Sequence, residues 1–216
     1  MDSTPYALTE LTVVLGTPMH LAAHFADFQQ RAGEGANVTE HAWALHEYAA
    51  LDALTDIIAG GKSSRLYRTL VYEKQIAQDV SMGNSSSKLD GMIMLTATAK
   101  PGVHPREIDA EIAKVIADVA NRGVTERELI RVKNGMRAST IDRLSSVLGK
   151  ATQLSYYNYF AGTPDYMAKD LERYESLTLA DIQRVAKQYV AGQPKIVLTV
   201  VPEGKKDLAL TAGDLR

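Results

Sequence analysis

A pair of glycines followed by a short amphipathic run constrains the fold of this chain more than any other feature. Residues 60–80 read GGKSSRLYRTLVYEKQIAQDV. Glycine adopts positive φ at little steric cost, so the two glycines predict the end of a helix. Ser63 or Ser64 then supplies an N-cap for a new short helix, and alternation over residues 76–82 predicts a strand. The run therefore predicts a helix, a glycine break, a second helix and a strand.

Hydrophobic periodicity predicts the remaining elements. Further strands are expected at residues 11–15, 92–97 and 195–201, and helices at about residues 19–30, 39–59, 105–122, 125–144, 147–160, 164–174 and 178–190. Thr39 is the expected cap of the second of these helices, and both faces of strand 92–97 are apolar, so it is expected to be central and covered on each side. This order predicts an α+β fold with one mixed, largely antiparallel sheet and helices packed on one face.

Composition excludes several classes of protein. The net charge of -2 over 216 residues gives no electrostatic reason to expect a nucleic-acid partner, and the absence of cysteine excludes disulfides and sulfur-based zinc sites. No apolar run approaches the roughly 18 residues of a membrane span. Residues 1–10 lack the basic start and apolar centre of a signal peptide, so an export signal would have to lie upstream. With such a signal we expect a bacterial periplasmic or envelope protein, and otherwise a cytoplasmic one.

The histidines do not complete a zinc motif. His20 and His24 are four residues apart and would share a helical face, but no glutamate lies between them and no third ligand is evident. His41 and His46 are about 140° apart on a helix, so they diverge. His46 is followed by a glutamate but not by the second histidine of H-E-x-x-H, and H-x-x-E-H is missing too. His104 precedes a proline, where a helix cap is the simpler interpretation. We therefore predict no metal site, and a small metal enzyme using His20 and His24 is the least favoured hypothesis.

The other polar clusters in the sequence are interpreted as structural and not as catalytic groups. Asp52 and Asp56 lie one helical turn apart, as many carboxylates do on an exposed helix face, so they are not read as a catalytic pair. Lys62 and its neighbouring serines lack the first glycine of a Walker loop and a base for nucleophilic chemistry. The tyrosines of SYYNYF, residues 155–160, are interpreted as packing at a helix junction. The residues alone thus indicate an α+β domain with no complete active site.

Five segments in order resemble a known family: residues 60–80, ATAKPGV, GVTERELIRVKN, the run from YYNYF to RVAKQYV, and VLTVVPEGK. Together they resemble the C-terminal, non-catalytic domain of the inverzincin zinc peptidases, the family of pitrilysin, insulin-degrading enzyme and the mitochondrial processing peptidases. The resemblance covers about residues 48–205. We accordingly divide the chain into a poorly matched segment at 1–38 that contains a strand, the family domain at 39–205 and a tail at 206–216, all within one structural domain.

The resemblance implies a domain that does not hydrolyse peptides by itself. In the family, a homologous domain bears H-x-x-E-H and zinc, and the partner domain closes over it to form a peptide chamber. Many relatives contribute an Arg and a Tyr to that chamber, and the matching positions here are Val71 and Gln78. Neither residue supplies the charge or phenol of its counterpart. Val71, Gln75 and Gln78 are the expected chamber-facing residues, with no catalytic residue and no metal ligand in this chain.

Two functions follow from the resemblance. The first is a partner domain of a bacterial zinc metallopeptidase, with a zinc-bearing homologous domain or subunit and a peptide as partners and zinc held only by the other half. The alternative is a structural or assembly subunit with no role in proteolysis, which the loss of Arg and Tyr at positions 71 and 78 favours. A homodimer is compatible with both.

Overall fold

A computed structural model describes residues 9–16, 38–86, 91–211 and 213–214. The strands are β1 (Thr9–Gly16), β2 (Ala77–Ser86), β3 (Gly91–Ala99) and β4 (Lys195–Val200). The helices are α1 (Val38–Ala59), α2 (Arg65–Tyr67, continued by a π-helical turn Arg68–Glu73), α3 (Pro105–Arg122), α4 (Glu126–Arg143), α5 (Val147–Ala161), α6 (Met167–Glu175) and α7 (Leu179–Val185, continued by a π-helical turn Ala186–Val190). A short 3₁₀ turn, Lys206–Leu208, follows β4.

The described strands form one open sheet in the order β2-β3-β1-β4. Every pairing between them is antiparallel, and β2 contains a bulge between Ala77 and Asp79. Helices pack on one face of the sheet, where β1 and β3 bury residues such as Val13, Ile93 and Leu95. The predicted α+β class is therefore confirmed.

Local signals explain where three of the helices begin. Thr125 and Glu128 form a complete capping box at the start of α4, and Thr178 and Asp181 form another at the start of α7. The ring of His104 accepts a hydrogen bond from the N–H of Arg106 (3.1 Å), which confirms it as the cap of α3. These contacts are local in sequence, so patterns of a few residues predict them.

One predicted element falls on residues that the structure does not describe, and two other predictions are wrong. The predicted helix at 19–30 lies outside the described residues. Helix α1 begins at Val38, so Thr39 lies within the helix and does not precede it. Strand β3 is central, but it is not covered on each side: Met92 and Met94 are 40% and 39% exposed. Because the helices pack on one face only, the apolar side chains of the other face stay uncovered.

None of the described helices has the length and apolarity that a bilayer crossing requires.

Candidate functional site

The corner between α2 and β2 is built by a π-helical turn. The N–H of Lys74 bonds the carbonyl of Thr69, and the N–H of Ile76 bonds the carbonyl of Leu70, both at 2.9 Å. Gln75 follows this turn with φ of 55°, the only described residue other than glycine with positive φ. π-helical turns often occur at functional sites, and so do residues other than glycine with a left-handed backbone conformation. The π-helical turn and the positive φ of Gln75 therefore make this corner, which lies within residues 60–80, a candidate functional site.

The three predicted chamber residues lie together at this corner but differ in exposure. Val71 is half-buried and packs against the core, whereas Gln75 and Gln78 are exposed. Gln78 occupies the bulge of β2, and its amide donates to the carbonyl of Ala99 at 3.4 Å. Val71 therefore offers only part of an apolar side chain to a ligand, and the two glutamines offer amide groups.

The serines after the glycine pair do not cap α2 through their side chains. Ser64 occupies the N-cap position, but its hydroxyl donates to the carbonyl of Gly61 at 2.6 Å. The hydroxyl of Ser63 instead accepts a hydrogen bond from Arg131 of α4 at 2.8 Å. The predicted side-chain cap is therefore wrong, because one hydroxyl closes the turn and the other binds a residue distant in sequence.

An ion-pair network anchors the corner to the helix layer. The guanidinium of Arg65 binds both carboxylate oxygens of Glu128 at 2.7 and 2.8 Å, and it also contacts Asp118 (3.0 Å) and the carbonyl of Gly123 (3.2 Å). The hydrogen bond from Arg65 lowers the pKa of Glu128 to about 2. Sequence reasoning missed this network, because Arg65 and Glu128 are 63 positions apart and each has a simple local interpretation.

The carboxylates of α1 are not on an exposed helix face as predicted. Asp52 accepts hydrogen bonds from Asn84 of β2 (2.8 Å) and from the hydroxyl of Tyr174 of α6 (2.9 Å). Burial raises the pKa of Asp52, and the two hydrogen bonds oppose that shift. Asp56 faces Arg131 at 3.4 Å. Both carboxylates thus join α1 to its neighbours, and they do not form a catalytic pair.

The described histidines and their neighbours do not assemble a metal site. His46 contacts Asp181 at 3.4 Å, while Glu47 beside it is buried and bonded to Arg184. His20 and His24 and the side chain of His41 lie outside the described residues. Within the part of the chain that the structure describes, no group of three or more His, Asp or Glu residues is suited to holding a metal ion.

The face of the sheet opposite the helices carries apolar side chains in the open. Along β4, Ile196, Leu198 and Val200 are 72%, 57% and 51% exposed, and Met92 and Met94 of β3 lie on the same face, with β1 between the two groups. The β1 residues that pair with Val200 and Leu198 are the polar Glu10 and Thr12. Exposed apolar groups clustered on one face of a sheet often mark an interaction surface. We call this patch the open face; it is defined by Met92, Met94, Ile196, Leu198 and Val200.

Helix α5 is a second exposed apolar surface. Val147, Leu148 and Leu154 are 86%, 77% and 50% exposed, and Lys150 is the only charged residue of the helix. Of the tyrosines at 155–160, only Tyr157 is buried, and its hydroxyl donates to Asp170 at 2.7 Å. The interpretation of these tyrosines as packing therefore holds for Tyr157, whereas Tyr156 and Tyr159 are 54% and 66% exposed.

Comparison with known proteins agrees with this architecture. The model of the peptidase M16 inactive domain family matches residues 32–136. Zinc protease PqqE of Helicobacter pylori is 28% identical over 146 residues, which are 66% of this chain and 32% of that protein. A solved protease structure from Helicobacter pylori has a TM-score of 0.71 at 20% identity, covering 90% of this chain and 41% of that one. The periplasmic protease PqqL from Escherichia coli has a TM-score of 0.64 at 17% identity, covering 94% and 20%.

The chain is thus a homologue of zinc proteases with their α+β domain architecture. Its residues 32–136 match the peptidase M16 inactive domain, which confirms the family resemblance read from its motifs. It spans about a third of PqqE and two-fifths of the solved Helicobacter pylori chain.

Proposed function

We propose that this chain is the non-catalytic partner domain of a bacterial zinc metallopeptidase. In this role it forms half of an enclosed peptide-binding chamber and docks on a homologous domain that carries the zinc. The family description as an inactive domain supports the non-catalytic part. The longer chains of the protease relatives, more than twice the matched length, leave room for a second domain in those proteins.

The observation that carries the proposal is the open face. Its five apolar residues are 39–72% exposed, and the buried side chains of β1 and β3 face the helix layer on the opposite side of the sheet. Leaving these side chains in water is unfavourable, at about 25 cal/mol per Å² of apolar surface. A wall of a peptide chamber needs such a surface, because it must hold many different side chains without fixed polar partners.

Helix α5 is the proposed docking surface for the zinc-bearing domain. A solvent-facing helix normally carries charged residues on its outer face, but this helix has only Lys150. Interface cores are depleted of charge and enriched in tyrosine, as the exposed side of α5 is. The half-exposed Leu154 and the strongly exposed Val147 and Leu148 are therefore candidates for burial against that domain.

The α2–β2 corner supports a holding role better than a catalytic one. Val71 has no hydrogen-bonding side chain, and the amide of Gln78 already contacts the carbonyl of Ala99. We propose that Gln75 and Gln78 contact the peptide through their amides. The same observation favours a second candidate function, a structural or assembly subunit that binds the peptidase and takes no part in cleavage.

Reconstitution with the zinc-bearing protein of the same bacterium, recognised by H-x-x-E-H, tests the proposal. We expect a stable complex by gel filtration and zinc-dependent cleavage of a quenched fluorescent peptide that exceeds the cleavage by either protein alone. Leu148→Lys should weaken the complex, whereas Met94→Lys should preserve the complex and slow cleavage. Ile130→Lys, at a 50% exposed position of α4, is the matched control and should change neither.

The outcomes separate the two candidate functions. A complex that forms without any gain in cleavage supports the assembly subunit and rejects the chamber. Failure to form a complex contradicts both. We also propose a periplasmic location, as described for PqqL, which cell fractionation of the native bacterium checks.

A further inference from the structure

An exposed tyrosine stands at the α2–β2 corner. Tyr72 lies in the π-helical turn Arg68–Glu73 and is 55% exposed. Leu66 and Leu70, which precede it on the same helix, are fully buried and supply the core contact. Tyrosine is enriched where proteins bind other chains, because its ring is apolar and its hydroxyl tolerates water. Tyr72 was not among the residues predicted from the sequence, and its position makes it a candidate binding residue.

The π-helical turn places Tyr72 against Tyr67. The centroids of the two rings are 5.3 Å apart and their planes meet at 64°, an edge-to-face contact. A π-helical turn bonds residues that are five apart, which brings them towards the same side, whereas an α-helix would place them about 140° apart. Tyr67 is itself half-buried and packs against the core. The wide turn thus supports the exposed ring of Tyr72 on a partner that the core holds.

This support prepares Tyr72 for binding. A side chain that already contacts a packed neighbour loses less rotamer freedom when a ligand arrives. Gln75, three residues further on, has φ of 55°, a conformation that costs energy for a residue with a Cβ. Two unfavourable backbone features in so short a stretch are typical of a functional site.

The charges next to Tyr72 are paired with one another or with α3. Arg68 contacts Glu73 at 3.7 Å, and Lys74 contacts Glu111 of α3 at 2.9 Å. A charged ligand group gains little from charges that already have partners. The ring of Tyr72 therefore favours a neutral side chain, and aromatic rings add a specific ring–ring attraction to their burial.

We infer that Tyr72 binds an aromatic side chain of the peptide and makes the assembled peptidase selective for peptides that carry one. The inference rests on the proposed function, because it requires a peptide at this corner. Aromatic rings pair edge-to-face or offset, with centroids about 4.5–7 Å apart, so an incoming ring can extend the pair of Tyr67 and Tyr72. The amides of Gln75 and Gln78 supply polar partners for the peptide backbone beside it.

The selectivity of the reconstituted peptidase tests the inference. Quenched fluorescent peptides carry one Phe, moved stepwise along a chain of Ala, Gly and Ser, and each is compared with the same peptide carrying Ala or Lys there. At one position or more, Phe should raise kcat/KM about twofold to tenfold over Ala. Tyr72→Ala should bring this ratio close to one through a higher KM for the Phe peptide, and Tyr72→Phe should keep it. Ile130→Ala, at a 50% exposed position of α4, is the matched control and should also keep the ratio.

Three outcomes overturn the inference. One is a ratio that Tyr72→Ala leaves unchanged. Another is an equal loss of kcat/KM for both peptides, since that indicates a structural role for the ring. The third is a larger gain from Lys than from Phe, because it shows that the ring binds a cation. Circular dichroism melting verifies that each variant is folded.

Fluorine NMR separates this inference from the proposed function. The full chain is labelled with fluorotyrosine, and the resonance of Tyr72 is identified by its absence in Tyr72→Phe. Excess Phe peptide should shift that resonance, and the matched Ala peptide should not. A shift without cleavage in the reconstituted assembly would contradict the proposed peptidase and support the aromatic site. Cleavage without a shift or a Phe preference would support the peptidase and overturn the aromatic site.

Discussion

Glu128 accepts hydrogen bonds from Arg65 through both carboxylate oxygens, at 2.7 and 2.8 Å, and one of those oxygens also completes the capping box with Thr125. One carboxylate therefore caps α4 and anchors the corner helix α2 to it. Because both functions meet in the same group, its loss affects the helix layer and the candidate site together.

Replacement of Glu128 by Gln should destabilise the domain by roughly 1–3 kcal/mol, since it removes the charge that Arg65 and the helix start both bind. The free energy of unfolding from urea titrations measures the effect. Glu126→Gln, an exposed change in the same helical turn, is the control and should cost less than about 0.5 kcal/mol. An equal loss in both variants would show that the Arg65 contact contributes nothing.

Acid should weaken the domain through the same carboxylate. The pKa of Glu128 is lowered from 4.5 to about 2 in the folded state, so the unfolded chain binds the proton more readily between those values. The stabilisation is fully present above pH 4.5 and is lost as the pH falls towards about 2, with an upper limit of about 3 kcal/mol.

Comparing the pH dependence of stability in the unmodified chain and in Glu128→Gln separates the contribution of Glu128 from those of other carboxylates. Burial raises the pKa of Asp52 and of Glu47, so the stability linked to these groups changes with pH in the opposite direction. The stability difference between the unmodified chain and Glu128→Gln should shrink as the pH is lowered from 5 to 3. A difference that stays constant over that range contradicts the lowered pKa.

Gln75→Gly should stabilise the domain by roughly 1 kcal/mol. Gln75 has φ of 55°, which glycine adopts without the steric cost that a Cβ imposes. Glu73→Gly, in the helical turn just before, should instead destabilise by about 0.5–1 kcal/mol. Urea midpoints of the two variants should therefore move in opposite directions, and a lower midpoint for Gln75→Gly would show that its side chain makes a compensating contact.

The double substitution Val71→Arg with Gln78→Tyr tests whether the corner faces substrate. If the proposed assembly is correct, supplying the charge and the phenol found in many relatives should raise kcat/KM of the reconstituted peptidase at least about tenfold. Val71→Met with Gln78→Phe matches the size without the chemistry and should give no gain. An unchanged rate in both, with the complex intact, would place the corner away from the peptide.

Sequence patterns predicted the candidate site only in part. They located the helix-to-strand corner, because glycines, apolar spacing and alternation act over a few residues. They did not reveal the bulge at Gln78 or the half-buried state of Val71, since both depend on how β2 pairs with β3 and how the corner packs on the core. They also offered the hydroxyl of Ser63 or Ser64 as a helix cap, whereas Ser63 binds Arg131 of a distant helix and Ser64 binds the carbonyl of Gly61.

The sequence by itself determined the class of the fold and the family resemblance. Capping boxes at Thr125 and Thr178, the proline start of α3 and the order of strands and helices are local signals, and they required no knowledge of distant contacts. Tertiary structure alone decided which apolar residues stay exposed. Periodicity shows that a strand has two apolar faces, but only the packing of all helices on one side of the sheet leaves Met94 and Leu198 uncovered. The surfaces proposed for function arise from that packing, because burial is a property of the assembled layers and not of any single segment.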